Sequence, residues 1–129
     1  MSSAEQVVRT YFDALAAQDF PTVAASLADD VVWHQPGANR FSGVQSGAAA
    51  VAAMIGGMTE LSEGSFELTV TAPLMVNGET VAARIHFTAR RDGATLDQDG
   101  VDVLRVDGGR ISEVWLFSAD QPAEDAFWG

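Results

Sequence analysis

Asp102 is the residue best placed for chemistry, because it stands as a lone acid among apolar neighbours in GVDVLRV, residues 100–106. Hairpin arithmetic locates it. If Asp92-Gly93 is a two-residue turn, cross-strand pairs sum to 185 and Asp102 faces Ala83. If Gly108-Gly109 is another, pairs sum to 217 and Asp102 faces Trp115, with Leu104, Gly100, Ile85 and Phe117 on the same side. A carboxyl so enclosed loses hydration, its pKa rises, and it is held protonated at neutral pH. Such an acid donates a hydrogen bond to a ligand carbonyl. The competing reading has bulges turning Asp102 outward, as one solvated acid among 18.

Tyr11 is a second donor, a phenol in an apolar stripe whose hydroxyl needs a partner that either a pocket or a backbone carbonyl can supply. A third group of candidates closes the run VVWHQ (31–35), which breaks at Pro36-Gly37. Period two puts Trp33 and Gln35 on one face and Val32 and His34 on the other. Gln35 with Trp33 then binds and orients a polar ligand group. His34 serves as a base only if the strand twists at Pro36, and is otherwise a rim or surface histidine. Trp33, Phe41, Met54, Met58, Trp115 and Phe117 supply apolar contact for a ring system, although a core needs the same residue types.

The elements that position these groups follow from periodicity. Val7, Val8, Tyr11, Phe12 and Leu15 recur at helical spacing in a first helix, Ala4 to Ala17. Pro21 suits the first turn of a second helix, through Leu27, and Asp29-Asp30 stops it. Val31 to Gln35 is a short strand and Pro36 to Gly43 a loop. Ser46 is an N-cap for a third helix that runs to Ile55 and ends at Gly56-Gly57. From residue 64 the period becomes two. Strands are expected at Phe66–Val76, Val81–Arg90, Thr95–Val106 and Ile111–Ala119, joined by turns at Asn77-Gly78, Asp92-Gly93 and Gly108-Gly109. Pro122 opens a last helical turn, with Glu124 and Asp125 near its positive end and Phe127 and Trp128 free to dock. The fold class is α+β: a curved antiparallel meander wrapped around a long N-terminal helix.

Composition narrows the function. The 129 residues make one domain, 47% hydrophobic and 19% charged, as expected of a globular chain. The N-terminus has no apolar leader and no run is long enough for a membrane span, so a cytoplasmic location is expected. Without cysteine there is no disulfide, thiol catalysis or Cys-ligated zinc. Two histidines, His34 and His86, are too few for a His-rich metal site, and no cofactor is implied. A formal charge of −11 disfavours nucleic acid and anionic membranes. The expected partner is an apolar small molecule, and the outward Val101 and Val103 suggest a homodimer.

The element order resembles the nuclear transport factor 2-like cone fold across nearly the whole chain. Within it LADDVVWHQPG, FSG, VDVLRVDGGRISEVW and DAFWG look like the SnoaL-like branch, which includes polyketide cyclases and relatives of ketosteroid isomerase. The resemblance implies that Asp102 stands where the isomerases keep their hydrogen-bond-donating aspartate, and Tyr11 where their first-helix tyrosine stands. Gln35, 24 residues after Tyr11, occupies the position of their catalytic base, where an amide has no useful basicity. Limonene epoxide hydrolase offers another template, but Arg84-Ile85-His86 lacks its acid pair. The cyclases place a histidine and an aspartate on neighbouring strands, as His86 and Asp102 would be if Gly100 marked a bulge that reverses parity. The resulting expectation is proton transfer next to a carbonyl, by isomerisation or aldol cyclisation. The alternative is a noncatalytic binding domain or dimeric scaffold.

Overall fold

The computed structural model describes residues 3–129. Helix α1 (Ser3–Ala16) buries the expected stripe, with Val8, Tyr11 and Phe12 inward. Its chain turns at Gln18, φ 55°, and Asp19 caps α2 (Phe20–Ser26) by accepting from the Thr22 N–H and, at 2.6 Å, from the Thr22 hydroxyl. Strand β1 (Leu27–Gln35) begins four residues before the expected Val31, because Leu27 already pairs with Ile111. Its register then slips before Val32, so Asp29 and Asp30 stand exposed at an irregular stretch rather than ending a helix.

Two expectations fail around the next helix. Ser46 ends a short strand, β2 (Gly43–Ser46), paired antiparallel with β1, and the helix cap is Gly47 at φ 94°. Helix α3 (Ala48–Leu61) also runs straight through Gly56-Gly57. Gly57 is there for space: a Cβ on it would lie 2.9 Å from a ring carbon of Phe41. The alanines earlier in the helix keep its propensity high enough to carry both glycines.

The expected strand 66–76 is two pieces, β3 (Glu67–Val70) and β4 (Met75–Asn77), both paired with β5 (Thr80–Arg91). Pro73 lies in the gap, where it has no N–H to give a ladder. Asn77 pairs with Thr80, so the turn is Gly78-Glu79, one residue later than expected. Strands β6 (Ala94–Asp107) and β7 (Arg110–Ser118) complete the sheet, and α4 (Gln121–Trp128) carries Pro122 in its first turn as expected. The strand order β2-β1-β7-β6-β5-β3 forms a curved, unclosed sheet. It is not wholly antiparallel, because β1 and β7 run parallel. Helix α1 lies against β3, β5, β6 and β7, and the core fills the space between. This is the expected α+β class, and among the described residues no helix is long and apolar enough to cross a membrane.

Register decides the site. Between β5 and β6 every pair sums to 185, so Asp102 faces Ala83, and Gly100 pairs with Ile85 without a bulge. Gly100 is small because a Cβ would meet the Phe117 carbonyl oxygen at 2.6 Å. The β6–β7 ladder starts at a sum of 217 and moves to 218 beyond Val106, leaving Ser112 as the extra residue of a bulge. Asp102 therefore faces Leu116 rather than Trp115.

Candidate functional site

Between the sheet and helices α1, α3 and α4 lies a cavity of about 820 Å³, its open mouth included. The lining, apolar with a few convergent polar groups, suits a small organic ligand. Most of the wall is apolar, including Leu15, Met54, Met58, Phe66, Phe87 and Leu116, and the polar groups are few. They include Tyr11 from α1, Gln35 from β1, Asp102 from β6 and Glu124 from α4.

Asp102 is 4% exposed and Tyr11 1%. Neither side chain hydrogen-bonds to a described residue, yet among those residues no buried polar side-chain atom lacks a partner. Both polar tips therefore open into the cavity. Burial pushes the Asp102 carboxyl up to about 8, with the nearby Glu124 charge adding to the effect. Burial, and then any charge on Asp102, raises the Tyr11 phenol above its ordinary range. At neutral pH the cavity thus holds two hydrogen-bond donors, an acid and a phenol, with no acceptor of their own.

Gln35, 6% exposed, accepts a 2.9 Å hydrogen bond from the Trp33 indole N–H. That bond fixes the amide with its oxygen toward Trp33 and leaves its NH2 group as a further donor. Trp33, Met54 and Met58 also line the cavity.

Four sequence candidates fall elsewhere. His34 points to the opposite face of the sheet, bonded at 2.7 Å to Glu113 and stacked on Trp115 with ring centroids 5.6 Å apart. The strand keeps its alternation up to Pro36, so His34 does not reach the cavity. The Ser112 bulge sends Trp115 outward as well. Phe117 shares the outward parity and is 58% exposed, but unlike these four it does contribute to the cavity lining. Phe41 packs edge-on behind Trp128, 5.4 Å between centroids, and does not line the wall. His86, which a bulge at Gly100 would have brought beside Asp102, is held on the outer face by Asp97 and Asp99, each at 2.7 Å. The Asp99 bond chiefly raises its pKa.

Sequence reasoning missed Glu124. It is 5% exposed and accepts from the Ser118 hydroxyl at 2.6 Å, the Gln121 amide at 3.1 Å and the Trp128 indole at 3.2 Å. The signal was the i, i+4 spacing from Glu124 to Trp128, which places carboxylate and indole on the helix face that docks. Among the described residues no cluster of three or more His, Asp or Glu is arranged to hold a metal.

A protein of Xanthomonas campestris with a cystatin-like fold matches the whole chain at 43% identity, covering 99% of that protein with a TM-score of 0.94. A structure put forward as a ketosteroid isomerase of Kribbella flavida is 27% identical, over 92% of this chain and 78% of that one, with a TM-score of 0.73. An uncharacterized protein of Mycobacterium tuberculosis is 32% identical over 122 residues, 95% of this chain and 93% of the relative. The model of the SnoaL-like domain matches residues 8–114, a span that holds Tyr11, Gln35 and Asp102, and the chain belongs to the SnoaL-like family.

Proposed function

We propose that the cavity is an active site for proton transfer next to the carbonyl of an apolar substrate, in an isomerisation or an intramolecular aldol cyclisation. The observation that carries this reading is a buried Asp102, held protonated at neutral pH, opening beside Tyr11 into an apolar cavity. Removing a proton from the α carbon sends its electron pair into an enolate, and the charge collects on the carbonyl oxygen. Donors already fixed around that oxygen stabilise the charge as it forms, with no reorganisation. The likeness to the Kribbella flavida structure supports the same class of reaction.

Phenols, whose anions resemble an enolate oxygen, test the site without a known substrate. They are expected to bind more tightly as their acidity approaches that of Asp102. Asp102→Leu should weaken binding by about 10- to 100-fold and Tyr11→Phe by about tenfold, the worth of hydrogen bonds to a charged oxygen. Calorimetry that found phenol affinity indifferent to both substitutions would remove the oxyanion site. Above about pH 8 Asp102 loses its proton and with it the donor, so wild-type affinity should fall there.

The scaffold reading draws on the amide at position 35 and on the outer surface, where Val44, Met75 and Phe117 are exposed. A homodimer through the outer sheet face is compatible with either reading. Sedimentation at micromolar concentration should show twice the 13.6 kDa chain mass; a single 13.6 kDa species excludes the dimer.

A further inference from the structure

Gln35 has no basicity and His34 lies on the other side of the sheet, so neither can take the substrate proton. Two carboxyls reach the cavity, and their surroundings differ. Among the described residues Asp102 has no donor. Glu124 has three, arriving from a serine, an amide and an indole. Two of these donors bind Oε1 and only the indole binds Oε2. With about four acceptor sites on a carboxylate, Oε2 retains room for another proton. Paired acids in unlike surroundings divide the acid and base roles between them.

We propose that Glu124 is the catalytic base, taking the proton from the carbon beside the substrate carbonyl and returning it. In the first half, the C–H bond breaks and its electron pair becomes the enolate double bond. The carbonyl π pair moves to oxygen, within reach of the Asp102 and Tyr11 donors, and the proton forms an O–H bond on Glu124. In the second half Glu124 gives that proton to carbon, at the original position or at the far end of a conjugated system, and the carbonyl re-forms. No other reactant is needed. The role falls to a residue of the last helix, whose indole at Trp128 fixes the carboxylate while walling the cavity.

The inference rests on the proposed proton-transfer reading, and one experiment separates the two. Cyclic ketones of one to three rings, including β,γ-unsaturated ones, are incubated with the full-length protein in deuterium oxide, and exchange at the α carbon is followed by NMR. Wild type should exchange at least one of them. Glu124→Gln, with folding checked by circular dichroism, should exchange at least 100-fold more slowly while still binding phenols. Glu124→Ala should regain activity when formate is added, a response that a purely structural glutamate would not give. Exchange in Glu124→Gln within threefold of wild type, or loss of exchange in Glu124→Ala that formate does not relieve, overturns the role of Glu124 and leaves the oxyanion site standing. A wild type inert toward every ketone overturns both.

Discussion

Asp102→Leu is expected to make the protein more stable than wild type at pH 8 and to remove most of the difference at pH 4. The sign follows from where the proton sits. Asp102 ordinarily titrates at 3.8 and in the folded chain at about 8. Below pH 4 both folded and unfolded chains carry the proton, and the wild-type contribution is fully present. Between the two values the folded chain keeps a proton that the unfolded chain releases, so wild-type stability falls by about 1.4 kcal/mol per pH unit. Several kcal/mol are therefore at stake by pH 8, to order of magnitude. Leucine has no proton to lose, and its apolar side chain suits the wall left by Leu104, Ile85 and Leu116. Urea denaturation of both proteins from pH 4 to pH 8 checks this, and parallel pH profiles would show that Asp102 is not a buried, protonated acid.

Trp128→Ala should cost about 3–5 kcal/mol, the usual loss for a large aromatic in a core. Trp128 is fully buried, meets Phe127 and Phe41 edge-on at 4.9 and 5.4 Å, and lies 6.2 Å from Phe66. It joins α4 to α3's neighbouring loop and to the cavity wall, and its removal also takes a donor from Glu124. Against a typical total of about 5–15 kcal/mol, such a loss is a large share. Trp128→Phe should fall between the two, keeping much of the packing but not the indole bond. A shift in the urea midpoint worth less than 1 kcal/mol for the alanine variant would mean that α4 is not integral to the core.

Most of the fold was legible because the signals were local. Gly93 and the Gly108-Gly109 pair adopt the positive φ that two-residue hairpin turns need, so β5 and β6 could be aligned residue by residue. Asp102 opposite Ala83 followed from counting alone. What failed depended on contacts distant in sequence. The helical run across Gly56-Gly57 is allowed by Phe41 lying against one of them, and the parallel pairing of β1 with β7 joins residues about 80 apart. The Ser112 bulge carries no glycine or proline to announce it, so counting from the turn alone places Trp115 inward. Tyr11, Gln35 and Asp102 were found because polar groups on apolar faces stand out; Glu124 was hidden, since an acid in the first turn of a helix has an ordinary explanation.

Strand β7 contains the run Val114-Trp115-Leu116-Phe117, apolar on both faces, so hydrophobicity cannot choose which pair lines the interior. A continuous ladder would turn Glu113 inward, opposite Leu104, where an unpaired carboxylate is costly. The bulge instead leaves Glu113 outside, bonded to His34, and presents Val114 and Leu116 within. One charge on the outer surface thus selects the composition of the inner wall. If that charge were lost, two linings of different bulk could compete in a single polypeptide, and ligand preference could drift without any change to a residue that touches the ligand.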